Sequence, residues 1–200
     1  MFNSIRVLFT LILFSTFALA DVFMTELTDP QNSSDAGRYV ELYNSGDSDV
    51  DLSTGWALQR WTNGGTTPQS AVALTGSVGA GEFYVVCNGG DDFAAAYVGS
   101  VCNQDIGTGG PADSNGDDQI GLLNGDTLVD FFGAVGQDGN SPQGVHWHEF
   151  EDGRAERADG VTSGCTDTTG VLCESEWNID NDSGGRDGDD EDDQDHDGDG

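Results

Sequence analysis

The apolar residues of this chain fall in short segments, and this pattern limits the fold more than any other feature. In residues 38–44, Val40 and Leu42 alternate with tyrosine and glutamate neighbours. Such alternation is typical of a strand whose sheet has two different faces. Short segments of this type predict strands at residues 22–27, 38–44, 56–61, 71–74, 83–87, 119–123 and 127–132.

The connections between these segments favour antiparallel strands. Asn124-Gly125 separates the last two and suits a type I′ hairpin turn, because both residues tolerate positive φ. Residues 91–97 look helical, with Asp91 as the N-cap. Because no long amphipathic segment offers the crossover helices of a parallel sheet, we predict an all-β antiparallel sandwich over residues 21–180.

The first twenty residues predict a secretory signal peptide. Arg6 gives a charged start, residues 7–20 are apolar or small, and Ala18-Leu19-Ala20 has the small-x-small pattern of a cleavage site. The apolar run is too short to span a bilayer, which takes about 20 helical residues, and a buried core helix would need a polar face. We therefore expect residues 1–20 to be removed and the mature chain to be secreted, extracellular and without a membrane span.

The charge of the chain is extreme. Asp and Glu number 37 against six arginines and no lysine, for a formal net charge of −31. Because nucleic-acid affinity depends on Lys and Arg displacing counterions, this balance argues against nucleic-acid binding by this chain alone. It favours cations as partners.

The four cysteines predict disulfide bonds, because an even number in an exported chain is typical of cystines. Of the three possible connectivities we favour the local one, Cys87 with Cys102 and Cys165 with Cys173, since each pair brackets a Gly/Asp-rich loop. Closing a loop of about 15 residues would stabilise the fold by roughly 3 kcal/mol. Zinc binding is the alternative, but no C-x-x-C pair supports it.

Residues 181–200 form an acidic tail that predicts calcium binding. Alternate aspartates followed by glycine place hard oxygen ligands around a tight turn, as in the opening half of a D-x-D-x-D-G loop. The tail also resembles a thrombospondin type 3 repeat, and a solvated acidic tail is the alternative. The predicted ligands are Asp193, Asp195, Asp197 and Asp199.

Three further groups of polar residues are weaker candidates for metal sites. Residues 47–51 and 113–118 are poorer versions of the aspartate pattern and more often form Asx turns. His146 and His148 would share one face of a strand, where Glu149 or Glu151 could complete a zinc or copper site, but two ligands do not make a site. We expect Trp147 to pack inward between two surface histidines.

Two closely spaced arginines predict a structural ion-pair network. Arg154 and Arg157 are two of only four cations in residues 21–179, which hold 26 acids. Guanidinium groups can form forked hydrogen bonds with carboxylates at a sheet edge. A ligand-anchoring role is the alternative.

The order of several segments resembles the lamin-tail domain of secreted microbial proteins. The matching segments are residues 22–27, 39–44, 50–53 with 55–58, 80–86, 117–118 and 130–133. The resemblance implies an immunoglobulin-like sandwich with a binding or tethering role, in a family found beside nuclease, phosphoesterase or calcium-repeat modules.

These observations favour a secreted, non-catalytic binding or tethering module, with calcium as a cofactor of the tail and an extracellular or cell-surface ligand as partner. We find no G-x-S-x-G or H-E-x-x-H pattern, and a phosphate loop ending in lysine is impossible here. One alternative is the N-terminal accessory domain of an extracellular nuclease or phosphoesterase whose catalytic domain lies beyond residue 200. A metal-dependent hydrolase using His146 and His148 is a third reading.

Overall fold

A computed structural model describes residues 22–30, 37–141 and 144–181. The predicted signal peptide and the predicted calcium ligands of the tail lie outside these residues. The described chain is almost entirely β. Its strands are β1 Val22–Thr28, β2 Tyr39–Asn44, β3 Val50–Asp51, β4 Trp56–Trp61, β5 Val72–Ala73, β6 Ser77–Val78, β7 Phe83–Cys87, β8 Gln104–Asp105, β9 Gln119–Asn124, β10 Thr127–Phe132, β11 Asn140–Ser141, β12 Gly144–Val145, β13 Arg154–Arg157 and β14 Trp177–Asp180; the helix α1 is Gly90–Ala96 and a 3₁₀ turn covers Glu174–Glu176.

The strands form two main sheets whose apolar faces share one core. The larger sheet has the order β14-β13-β1-β2-β7-β8 and the smaller has β10-β9-β4-β5. All pairs are antiparallel except β7 with β8. The core takes Met24, Leu42 and Val86 from the larger sheet and Leu58 and Leu122 from the smaller. The prediction of an immunoglobulin-like antiparallel sandwich is confirmed.

Two local predictions are corrected. The hairpin turn consists of Gly125 and Asp126, since Asn124 already pairs with Thr127. Of these residues Gly125 has positive φ, at 60°, and Asp126 does not, which fits a type II′ turn. Asp91 does not cap α1; the Asp105 carboxylate instead accepts the Gly90 N–H at 2.9 Å.

Two disulfides pin the chain beside the sheets. Cys87 bonds to Cys102 and Cys165 to Cys173, which is the local pairing favoured by the sequence. The first ties the end of β7 to the segment that follows α1. The second lies beside β10, where the Phe131 N–H donates to the Cys165 carbonyl at 2.7 Å.

A buried ion pair joins the two sheets. Asp130 of β10 is fully buried, and its carboxylate accepts hydrogen bonds from the Arg157 guanidinium of β13 and from the Met24 N–H of β1. Its second oxygen accepts the Cys165 N–H at 2.8 Å. Arg157 also donates to the Met24 carbonyl at 3.0 Å and lies 4.1 Å from the ring centroid of Trp177.

The predicted arginine network therefore forms around Arg157 and not around Arg154. Residues of β13 alternate between faces, so Ala155 and Arg157 point inward while Arg154 and Glu156 point outward. The Arg154 side chain is 51% exposed and lies 3.5 Å from Glu156, whereas that of Arg157 is 3% exposed. An exposed pair of this kind contributes little to stability.

The two arginines of β13 offer a matched test of this pair. We expect Arg157→Gln to lower the free energy of unfolding by about 3–5 kcal/mol, because it leaves the Asp130 carboxylate buried without its cation. Arg154→Gln should change it by less than about 1 kcal/mol. Urea unfolding of the mature chain measures both. Equal costs at the two positions would show that the pair does not hold the sheets together; if Arg157→Gln does not fold, Arg157→Lys gives the same comparison.

Candidate acidic pocket on the outer face of the larger sheet

Three glutamates lie side by side on the outer face of the larger sheet. Glu26 of β1 is paired directly with Glu156 of β13 on one side and with Glu41 of β2 on the other. We call these three residues the carboxylate row. Like charges opposite one another on neighbouring strands destabilise a sheet, so packing does not explain the row.

A β-bulge places Glu26 in this row. Met24 and Leu27 are both buried in the core, although strict alternation would put Met24 and Glu26 on the same face. The register of β1 against β2 shifts between Met24 and Glu26, so that the extra residue, Thr25, turns the following side chain outward. Bulges commonly redirect a side chain in this way.

A pocket of about 420 Å³ lies beside the carboxylate row. One wall is aromatic, because the rings of Tyr39 and Tyr97 meet edge to face with centroids 5.3 Å apart. The remaining lining is mainly polar and charged. The pocket is lined by Glu26, Thr28, Pro30, Tyr39, Tyr97, Asp152, Gly153, Arg154 and Asp180.

Backbone contacts fix the rim of the pocket. The Asp29 N–H donates to the Gly153 carbonyl at 2.9 Å, and the Asp29 carboxylate accepts the Asp152 N–H at 3.2 Å. Gly153 approaches β14 so closely that a Cβ there would lie 2.2 Å from the Asp180 carbonyl oxygen. A larger residue at position 153 would displace this wall.

Burial and repulsion by neighbouring carboxylates raise the pKa values of two carboxyl groups on this face, those of Glu26 and Glu41. Burial raises the pKa of Glu26, and the neighbouring Glu41 and Glu156 raise it further, although hydrogen bonding by the Tyr39 hydroxyl opposes the shift. Burial, followed by the charge of Glu156, also raises the pKa of Glu41, whose carboxylate accepts the Thr25 hydroxyl at 2.7 Å. A cation placed here would relieve this repulsion.

The other arginines of the described segments are used inside the protein. Arg38 donates to Asp29 at 2.6 Å, and Arg60 lies 3.2 Å from Asp118 and donates to the Asp113 carbonyl at 2.8 Å. With Arg157 also buried, Arg154 is the one arginine of residues 22–30, 37–141 and 144–181 whose side chain is mainly exposed. The outer face is therefore strongly negative.

The aspartate clusters in the loops serve as turns and ion-pair partners. In residues 47–51, Asp51 accepts the Ser53 N–H at 2.9 Å and Asp49 accepts the Ala80 N–H at 3.1 Å. In residues 113–118, Asp118 accepts the Asn63 N–H at 3.0 Å in addition to its contact with Arg60. Within the described ranges, no three His, Cys, Asp or Glu side chains are grouped so that they could hold a metal ion.

The histidine prediction is wrong in its orientation. The His146 and His148 rings stack with centroids 5.8 Å apart, but His148 is fully buried and Trp147 is only partly buried. Strand alternation does not apply, because β12 ends at Val145 and the chain turns at residues 147–148. Burial, and then the charge of His146, lowers the pKa of His148 to about 4, so His148 is neutral at pH 7.

Comparison with known families places the chain in one of them. The family model of the Lamin Tail Domain matches residues 15–136 of the chain. This segment contains Glu26, Tyr39 and Glu41, while Arg154, Glu156 and Asp180 come from strands beyond it. Comparison with curated proteins finds no significant match.

Removing one charge from the carboxylate row tests its repulsion. Because the pKa of Glu26 is raised in the folded state, ionisation of Glu26 costs stability as the pH rises, and this cost disappears when the carboxyl is protonated. We expect Glu26→Gln to raise the free energy of unfolding by roughly 0.5 kcal/mol at pH 7. The gain should shrink as the pH falls from the raised pKa of the folded state toward the ordinary glutamate value of 4.5.

Urea unfolding at pH 7 and pH 4 measures this effect. Glu82→Gln is the matched control, since Glu82 is exposed in the turn before β7 and should leave stability unchanged at both values. A loss of stability in Glu26→Gln at pH 7 would contradict the repulsion.

Proposed function

Because this chain belongs to the lamin tail domain family, we propose that it is a secreted, non-catalytic binding or tethering module that acts at the cell surface or in the extracellular matrix. The immunoglobulin-like fold is compatible with such a role. The two disulfides and the predicted signal peptide are compatible with an extracellular location. No helix in the described part of the chain is long and apolar enough to cross a membrane.

The observation that carries the proposal is the acidic pocket. Three deeply buried carboxylates of the domain pair with arginines: Asp130 binds Arg157, Asp29 binds Arg38 and Asp118 binds Arg60. The carboxylate row instead faces outward and costs stability, and it adjoins a formed pocket of about 420 Å³. Residues that oppose stability at an accessible pocket are typical of a binding site.

We extend the proposal to the acidic tail as a calcium-binding segment that stiffens when it is loaded. Its alternating aspartates supply oxygen ligands of the type that calcium prefers. The high negative charge of the tail favours cation binding over a compact apolar structure. The loaded tail would then act as a stiff spacer on the C-terminal side of the domain.

The pocket can be tested by reversing one of its charges. We expect the labelled mature chain to be retained on the washed surface or matrix of the cells that produce it. Asp180→Arg should abolish most of the retention, because it places a cation in the pocket wall. Asp126→Arg, in the exposed hairpin turn of the smaller sheet, makes the same charge change and should retain full binding. Equal retention of both variants would exclude the pocket, and no retention of the wild type would contradict tethering.

Isothermal titration of calcium into the mature chain tests the tail. We expect binding with a Kd on the order of 10⁻⁴ to 10⁻³ M, as in extracellular calcium modules. Replacing the four predicted ligands by asparagine should remove the heat, whereas replacing four other tail aspartates should preserve it at the same net charge. Equal heats from the two variants would show that calcium is held without a defined site. The ligand set is Asp193, Asp195, Asp197 and Asp199, and the control set is Asp187, Asp189, Asp190 and Asp192.

A further inference from the structure

The geometry points to a specific occupant for the acidic pocket: a lysine or arginine side chain carried by an extended, positively charged polypeptide. The inference rests on the proposed function, because it names the chemical class of partner for that same site. Four features of the outer face support it: the charge balance, the aromatic wall, the spacing of the carboxylates and the position of Arg154.

The charge balance favours a cation from outside the domain. Glu26, Asp152 and Asp180 line the pocket, and Glu41 and Glu156 flank Glu26. Against these five carboxylates stands one guanidinium, that of Arg154. The chain contains no lysine, and Arg38, Arg60 and Arg157 are buried. A positively charged partner therefore gains electrostatic energy that the domain cannot obtain from its own described side chains.

The aromatic wall favours an ammonium or guanidinium group over a bare metal ion. The faces of Tyr39 and Tyr97 attract organic cations through the ring quadrupole. Their apolar surface, together with Pro30, suits the methylene stem of a lysine or arginine. The charged end can then contact the Glu26 carboxylate. This carboxylate already accepts a hydrogen bond from the Tyr39 hydroxyl.

The spacing of the carboxylates favours a polypeptide over a small amine. The carboxylate row crosses three adjacent strands and therefore spans about 10 Å, because neighbouring strands are about 4.8 Å apart. Alternate side chains on one face of an extended peptide repeat every 6.6–6.8 Å or so. An extended segment can therefore place one cation in the pocket and a second, two residues away, on the row. A single amine would use only one of these positions.

Arg154 occupies the position of a weak internal competitor. It lies at the rim of the pocket, is 51% exposed and reaches Glu156 only at 3.5 Å. The Arg154 guanidinium thus lies beside the carboxylate row but is held there only weakly. Incoming cations would displace Arg154 toward solvent at little cost, because exposed ion pairs are weak.

Titration calorimetry with synthetic peptides tests the inference. The probe is acetyl-Ser-Lys-Ser-Lys-Ser-amide added to the mature chain in 150 mM salt, and the comparators are the same peptide with both lysines acetylated, and n-butylamine as a single amine. We expect the unmodified peptide to bind, the acetylated peptide not to bind, and n-butylamine to bind more weakly than the peptide. Binding of n-butylamine as tight as that of the peptide would overturn the assignment to a polypeptide.

Three variants test where the peptide binds, because one should weaken its binding, one should strengthen it and one should leave it unchanged. Glu26→Gln should weaken peptide binding about fivefold, since it removes one partly screened ion pair. Arg154→Gln should strengthen binding about threefold, because it removes the competitor. Glu82→Gln, in the turn before β7 and outside the pocket lining, should leave binding unchanged. If Glu26→Gln and Glu82→Gln have equal effects, or if Arg154→Gln weakens binding, the proposed site is wrong.

Failure of the cationic-partner inference can be distinguished from failure of the proposed tethering function. Retention on cells that is lost in Asp180→Arg, combined with no peptide binding, would refute the cationic partner and keep the binding module. Peptide binding that depends on Glu26, combined with no retention on cells, would support the cationic partner and refute tethering to that surface.

Discussion

The contact between Asp130 and Arg157 is the interaction on which the rest of the structure depends. It links β10 of one sheet to β13 of the other, and Met24 of β1 supplies an N–H to Asp130 and a carbonyl to Arg157. A buried carboxylate is costly unless its oxygens are satisfied, and here backbone N–H groups and a guanidinium satisfy both. The register of β10 against β9 also shifts between Leu128 and Asp130, next to the contact. The pair thus connects β10 of the smaller sheet to β1 and β13 of the larger one.

This arrangement separates the charges of the domain into two groups. Three arginines form buried ion pairs with carboxylates, namely Arg38, Arg60 and Arg157. The described part of the fold therefore has few cations at its surface. The acids that remain outside repel one another, most directly in the carboxylate row. A row that lowers stability and lies beside a formed pocket is explained by binding of an external cation, which both relieves the repulsion and gains from the charge of the whole chain.

Alternation and cysteine spacing predict the fold from the sequence, but they do not predict the pocket. Residues 38–44 alternate because one face of β2 is buried, and the local cysteine pairs enclose the loops that the structure shows. Glu26 could not be placed by alternation, since the bulge at Thr25 reverses its face. The sequence does not predict the burial of His148, because a turn, and not a strand, directs its ring into the core.

The last strands of the sandwich were also missed, because residues 154–157 and 177–180 are short and carry little apolar signal. They lie beyond the segment matched by the family, yet they contribute Arg154, Glu156 and Asp180 to the outer face. The family resemblance therefore accounts for the scaffold and for one side of the pocket. The other side depends on pairing between distant segments, which only the folded structure brings together.

The most direct test of this account is an NMR titration of the Glu26 side-chain carboxyl carbon in the mature chain, alone and with the dilysine peptide. In the free protein the pKa of Glu26 should lie above the ordinary value of 4.5, because the carboxyl is partly buried between two other glutamates. Bound peptide should lower it, since an adjacent cation favours the ionised form. A Glu26 carboxyl that titrates at its ordinary value in the free protein, and does not respond to the peptide, would contradict the account.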